Sequence, residues 1–406
     1  MKKAHKIRLN PNEEQEQYFW QAAGIARFVF NYGLEQWQKQ YKESLIDPDK
    51  ERPSAFKLRK QFNSIKREQF PFVLDVSKSV SGGAFKDLGA AFSNFFRRIK
   101  QAGAKPGYPK FKSKKRTKPS FYLANDRFNI KENNIKISKC PNMINMAETL
   151  RFSGKIMSGR VSFDGFHWYI SIVIEVEKQE HQHQEESIGI DLGIKAVATL
   201  SDGTQYENQR LYKSELKRIK RLSHRLSRRK IGSNRREIAR IQLSKLHWKI
   251  ANRRNDYIHK MTTEIASKYR IVGIENLNVS GMVRNHKLAM ALSDVSFYEI
   301  RRQLTYKSQW LGGLVVTVDQ FFASSKLCSV CGIIKSDLKL SDRVYVCECG
   351  NVMDRDANAA VNIKIEALRM VAGMALSTPK TDVETSVRPD SGHLSVKRQL
   401  NLSVCN

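Results

Sequence analysis

The chain has 406 residues, 71 Lys and Arg against 40 Asp and Glu, a formal net charge of +31 and 41% hydrophobic residues. That length exceeds a usual single domain, so two or three domains are expected. The basic residues recur from Lys2 to Arg398, which points to a polyanionic partner, nucleic acid first, because a merely soluble basic protein of such charge would bind nucleic acid nonspecifically. Neither an apolar segment behind the basic N-terminus nor a run of eighteen apolar residues occurs, so secretion and membrane insertion are not expected.

Residues 1 to about 22 read as a strand and a helix start, "RLNPNEEQEQYFWQAAGIARFVFNYGLEQW", capped by Asn10 or Asn12, with Phe19, Ala22, Ala23, Ala26 and Phe30 as the apolar face. Helical patterning continues to about Gln101, and "GGAFKDLGAAFSNFFRRIK" places Phe85, Leu88, Phe92 and Phe96 at core-like helical spacing. A connector rich in Pro, Gly and Lys follows, and from Phe121 to Val176 the runs are short and β-like. The first 180 residues therefore read as a β-rich module with a helical insertion. "EKQEHQHQEES" is a polar boundary whose two histidines are expected to be solvated, since no neighbouring ligands complete a metal site.

In "SIGIDLGIKAVATLSDG", Ile188, Ile190 and Leu192 alternate with Gly189, Asp191 and Gly193, as in a strand entering a tight turn before a second strand at Ala196 to Leu200. From Arg210 to Lys260, 18 Lys or Arg stand against Glu215, Glu237 and Asp256. Leu216, Ile219, Leu222 and Leu226 form one helical stripe and Ile238, Ile241, Leu246 and Ile250 another, with "KIGSN" as the turn between helices. So single-signed a stretch repels itself without an anion, and Lys217, Arg221, Arg225, Arg228 and Arg229 are candidate contacts to a nucleic-acid backbone. "YRIVGIENLNVS" is a short apolar strand ending in Glu275.

Cys328, Cys331, Cys347 and Cys349 make C-x2-C-x15-C-x-C, with Cys140 and Cys405 left over as ordinary thiols. Six cysteines in so long a chain are not a disulfide framework, and four clustered thiols fit one structural zinc ion in a reducing cytoplasm. Asp354 and Asp356 then precede the helix "ANAAVNIKIEALRM". Asn358 is either a helper to these acids or a backbone cap. Beyond about Ala375 the chain is polar, with little periodicity, and disorder is expected over 376–406.

Asp191, Glu275 and one of Asp354 or Asp356 lie near element ends, two of them in apolar strands. Acids so placed converge only if their strands share a sheet, and convergent carboxylates repel unless divalent cations neutralise them. Two hard ions held about 3.5 to 4 Å apart activate water and steady the leaving oxygen of a phosphodiester. The residues alone do not choose between Asp354 and Asp356.

Four ordered stretches, "GIDLGIKAVATLSDG", "IVGIENL", "FASSKLCSVCG" and "DRDANAAVNI", resemble the motifs of TnpB, the insertion-sequence protein family ancestral to the type V CRISPR effector nucleases. The resemblance runs to about residue 375. It implies a multidomain α/β plus β architecture. A wedge-like β-barrel (1–22 and 103–180) would hold a helical recognition insertion (23–102), and a split RNase H-like RuvC nuclease (187–326 and 353–375) a zinc ribbon (327–352). It implies magnesium-dependent, RNA-guided DNA cleavage by Asp191, Glu275 and Asp356, the acid directly before "ANAA". A transposon-derived guide RNA and target double-stranded DNA would be the partners of a monomer in the cytoplasm. Lys78, in "LDVSKSV", resembles the family segment that reads the flanking duplex, and the basic helices would line the guide–target duplex. The rivals are a guided binder with a lost nuclease, which predicts a damaged acidic set, and an unguided zinc-ribbon recombination accessory, which predicts no defined small RNA on the purified protein.

Overall fold

The computed structural model describes residues 1–377 except 48, 102, 104–105, 178–180 and 340–341; the tail expected to be disordered lies outside the described residues from 378 onward. The chain forms two compact units, Met1–Glu180 with Ile219–Lys249, and His181–Arg218 with Ile250–Asn406. No helix among the described residues is long and apolar enough to cross a membrane.

The first unit opens with strand β1 (Lys2–Asn10) and the helices α1 (Glu13–Ile46), α2 (Ala55–Gln69) and α3 (Lys78–Lys100). Strands β2 (Ser120–Ala124), β3 (Phe128–Lys131), β4 (Asn134–Ile137), β5 (Ile144–Met146), β6 (Lys155–Phe163) and β7 (Trp168–Glu175) follow. Their order is β2-β6-β7-β1-β5-β4-β3, antiparallel throughout. The two outermost strands, β2 and β3, are joined by the 3-10 turn Asn125–Arg127, so the edges are neighbours in sequence and the sheet curls into a nearly closed barrel. Alternation does the folding: Ile7 and Leu9 of β1 and Trp168, Ile170, Ile172 and Ile174 of β7 are all buried.

Helix α1 starts at Glu13 because Asn12 accepts from the Gln15 N–H at 2.9 Å while the Gln15 side chain accepts from the Asn12 N–H at 3.1 Å. This reciprocal cap settles the choice between Asn10 and Asn12. Phe85, Leu88 and Phe92 of α3 are core, with Phe92 stacked on Trp37 at 3.9 Å, but Phe96 is 46% exposed, one turn past the last covering residue.

The second unit contains strands β8 (Glu185–Asp191), β9 (Ala196–Leu200) and β10 (Gln205–Glu207), followed by helices α4 (Leu211–Ser214), α5 (Leu216–Ser227) and α6 (Asn234–Lys268). Most of α5 and the first part of α6 belong to the first unit. Next come β11 (Tyr269–Glu275), α7 (Val279–Met282), α8 (His286–Val295), α9 (Phe297–Trp310), β12 (Leu314–Val318), β13 (Val344–Val346), β14 (Val352–Asp354) and α10 (Arg355–Ser377). The sheet order is β10-β9-β8-β11-β12, with the first three strands antiparallel and β8, β11 and β12 parallel.

Gly189 on β8 and Gly273 on β11 are paired across the strands. A Cβ at Gly189 would stand 2.0 Å from the Ala360 carbonyl oxygen, and one at Gly273 would stand 2.7 Å from the Ala367 Cβ. The two glycines thus make a flat seat on which α10 lies directly against the sheet, its Ile363 and Ala367 packing with Ile271, Val316 and Val318.

Helix α9 is fastened to α6 by Lys307, whose buried ammonium donates at 2.8 Å to the His259 carbonyl and to the Thr262 and Thr263 hydroxyls. Burial pushes its pKa down to about 8. The histidines of the polar boundary depart from expectation: His181 Nε2 donates to the Ser267 carbonyl at 2.8 Å and its ring meets that of His183 at 4.8 Å, so the segment docks on the end of α6. Ile238, expected on the apolar stripe of α6, is 53% exposed, whereas Leu246 and Ile250 are buried.

Candidate active site and cysteine knuckle

Asp191 ends β8, Glu275 ends the adjacent parallel strand β11, and Asp356 stands in the first turn of α10, the helix seated on both. Parallel neighbours end at the same edge of a sheet, so the first two acids share that edge by topology. All three side chains are half-buried. Burial, then the charges of Glu275 and Asp356, push the Asp191 carboxyl up to about 8. Burial also raises Glu275, against the hydroxyl of Ser324, which donates to its carboxylate. The arrangement is therefore short of positive charge, as a cation-binding set is before its ion arrives.

Asp354 has a different task. Its Oδ1 accepts from the N–H groups of Asp356 at 2.9 Å and Ala357 at 3.1 Å, the N-cap geometry of α10. The residues alone left Asp354 and Asp356 open and the resemblance favoured Asp356; Asp354 is occupied as the cap of α10.

The four cysteines come together: their sulfurs lie within 4.8 Å of one another, with Cys328 to Cys349 and Cys331 to Cys347 both at 3.6 Å. Tetrahedral zinc–thiolate bonds of about 2.3 Å place sulfurs about 3.8 Å apart, so the donors fit that ion and are too far apart for disulfides. Burial raises the Cys328 thiol, but the N–H groups of Cys331 and Val330 outweigh it and bring the pKa to about 6. Against the pull of the Ile333 N–H, burial and the neighbouring thiols push Cys331 up to about 12. The Cys328 thiolate forms readily, whereas that of Cys331 needs a cation. Cys140, by contrast, is a buried thiol pushed up to about 12 by burial; Cys405 lies outside the described residues.

Cys328→Ser is expected to remove the zinc and lower the unfolding temperature together, because the binding free energy of a structural zinc is part of the folding free energy. Metal analysis beside thermal unfolding checks this. A wild type that is fully stable without zinc would refute it.

Asn358 is not the cap of α10, which Asp354 supplies. Fully buried, its Oδ1 accepts from the Ser329 N–H at 3.0 Å and its Nδ2 donates to the Leu327 carbonyl at 2.7 Å. Asn362, one turn on, donates to the carbonyls of Ser324 at 2.8 Å and Leu327 at 2.6 Å. These two amides clamp the start of the knuckle to α10, and the same loop brings Ser324 to Glu275. The sequence reading missed Asn362 and Ser324; two Asn four residues apart in an otherwise apolar helix face were the available signal.

The basic candidates are divided between the units. Lys78 is exposed at the start of α3, Arg221, Arg225 and Arg228 are exposed and Arg229 half-buried on the part of α5 in the first unit, and Lys217 is exposed in the second unit. Within the first unit, Trp248 of α6 donates to Asp164 at 2.8 Å at the turn between β6 and β7. Nearby lies a cavity of about 930 Å³ lined by Arg27, Lys114, Lys115, Lys118, Arg240 and the half-exposed Trp20. Sequence reading passed over Trp20 and Arg27, which sit on a helix read for its core face.

The fold is similar to that of Cas12f1, solved as a complex with sgRNA and target DNA, which aligns with a TM-score of 0.51 at 14% identity, covering 89% of this chain and 98% of that one. Residues 171–286 match the OrfB family of IS605 elements, described as "Probable transposase", and residues 297–363 match the Cas12f1-like TNB domain. Residues 1–45 match a family described as a helix-turn-helix domain, although here they form one strand and one continuous helix. A Streptomyces pristinaespiralis protein named "Putative RNA-guided DNA endonuclease" is 30% identical over 411 residues, 98% of this chain and 96% of its own. InsQ of Escherichia coli K12, which carries the same description, is 29% identical over 375 residues, 88% and 90% of the two chains. The chain belongs to the TnpB family.

Proposed function

We propose that the protein is an RNA-guided DNA endonuclease of a transposon, cleaving DNA with Asp191, Glu275 and Asp356 as the ligands of catalytic magnesium. The observation that carries this reading is the convergence of three acids from distant parts of the chain, whose repulsion outweighs the pull of Arg355, at a depth where the Asp191 carboxyl rises to about 8. The sheet order β10-β9-β8-β11-β12, three antiparallel strands followed by two parallel ones, supports an RNase H-like, RuvC-type nuclease. Bound there, a pair of divalent cations supplies water activation and charge neutralisation for phosphodiester hydrolysis. The chain's own residues hold the ions: Ser324 orients Glu275, and Asp354 fixes the turn that carries Asp356.

On this reading the barrel is the wedge, α1 to α3 with the connector form the recognition insertion that reads the flanking duplex, and the cysteine knuckle is a zinc ribbon inserted in the nuclease. The cavity beside Trp20 and the bases of α5 and α6 offer backbone contacts for guide RNA and target, while pairing reads sequence. The relatives' descriptions as RNA-guided endonucleases agree with it.

The test is to express the protein with its neighbouring transposon RNA, sequence the RNA that copurifies, and assay double-stranded DNA matching it with magnesium. A defined RNA and guide-directed cutting are expected. Absence of both would overturn the proposal.

A further inference from the structure

Beside Glu275 opens a small cavity of about 100 Å³. Its walls are the apolar side chains of Leu192, Leu277, Val279 and Phe297, and it is completed by Tyr298 and Arg301 of α9. Leu192 directly follows Asp191, so the cavity is bounded by residues at two of the three acids. Apart from Glu275 at its rim, the wall is mostly apolar and suits the edge of a planar ring.

Two side chains at its mouth have binding capacity left over. Tyr298 is 66% exposed, an aromatic ring left in solvent next to a pocket. Arg301 is half-buried, and its Nη1 donates to the Asn276 Oδ1 at 2.8 Å; no ion pair among the described residues involves it. Its remaining N–H groups are free for an oxygen anion. The support behind them is firm. Ser296, the residue before α9, is held at φ +62°, a left-handed conformation costly for serine, and Lys307 locks the other end of the helix to α6.

We propose that this cavity is the subsite for the base of the nucleotide flanking the scissile phosphate, with Tyr298 stacking on the base and Arg301 contacting the flanking phosphate. The site takes one unpaired nucleotide: a cavity of this size admits one ring edge, and the base must leave its duplex stack to reach it. The inference rests on the nuclease reading and adds to it two residues, Tyr298 and Arg301, that seat the nucleotide beside the cut.

The test uses the full chain with its guide, after the cut position has been mapped on the wild type. Two targets are compared under single-turnover conditions, one natural and one abasic at the nucleotide next to the cut. The abasic change should slow the wild type by roughly 10-fold, and Tyr298→Ala should slow cutting of the natural target by a similar factor. Combined, the two changes should cost little more than either alone, and Tyr298→Phe should restore the natural rate because the ring is kept. Guided binding should stay unchanged throughout. Wild-type rates in Tyr298→Ala, or an abasic penalty undiminished in that variant, would overturn the subsite. Asp356→Ala separates the two levels: if it is inactive while Tyr298→Ala cuts normally, only the subsite fails, and if the wild type itself does not cut, both fail.

Discussion

Asp356→Ala is expected to slow guide-directed cleavage by roughly 10³-fold, equivalent to about 4 kcal/mol in barrier height, while guided binding of the target persists. The same holds for Asp191→Ala and Glu275→Ala. On the proposed reading, binding draws on the basic helices and on base pairing, whereas cutting needs all three acids around the ions. Asp354 divides the outcomes further. Asparagine caps a helix about as well as aspartate, so Asp354→Asn should keep substantial activity, while Asp354→Ala should cost about 1 kcal/mol of stability through loss of the two bonds to Asp356 and Ala357. A cleavage assay with a matched guide, run beside a binding assay on the same DNA, decides the matter. Full activity in Asp356→Ala with loss in Asp354→Asn would reverse the two roles, and activity in all of these variants would place the chemistry elsewhere.

Gly189→Ala is expected to be the most damaging single methyl group in the second unit. The added Cβ would stand 2.0 Å from the Ala360 carbonyl oxygen and 2.5 Å from the Lys364 nitrogen, both backbone atoms of α10. No rotamer change can relieve that contact, so the helix must lift from the sheet at a cost of about 3 kcal/mol, the upper end of overpacking effects. Lifting α10 also withdraws Asp356, so cleavage should fail even in the fraction that folds. Gly273→Ala is milder, because its nearest neighbour is the Ala367 methyl at 2.7 Å. Adding Ala367→Gly should recover part of the loss. Thermal unfolding of the single and paired variants tests this, and a Gly189→Ala protein as stable and active as wild type would show that α10 does not need the seat.

Much of the site's framework was legible because it depends on local pattern. The alternation around Asp191, the apolar run before Glu275 and the spacing of the cysteines each report a strand end or a knuckle directly. The strand Ala196 to Leu200 matches its expected limits. The sequence did not reveal what depends on approach across long separations. Gly189 and Gly273 read as ordinary breaks in apolar runs until their pairing places both under one helix. Asp354 and Asp356 are chemically alike, the family pattern favoured Asp356, and the cap made by Asp354 could not be read from the residues. The polar boundary looked solvated because composition cannot report that His181 finds a carbonyl at the end of α6. Phe96 and Ile238 carried the right period but are only about half covered, and periodicity does not say where packing stops.

The seat on β8 and β11 fixes an order of events during synthesis. The barrel closes when β7 pairs with β1, so all of its strands have been made by Glu175. The acidic set waits for α10: Asp191 and Asp356 are 165 positions apart (356 − 191), and at about 5 to 20 residues per second a nascent chain carries the first acid for roughly 8 to 33 seconds before the last exists. From Gly273 onward the glycine seat is complete but bare, and the trio of acids stays incomplete until Asp356. The protein is thus built with its cutting edge added last, and a chain released early, before Arg355, has no means of completing it.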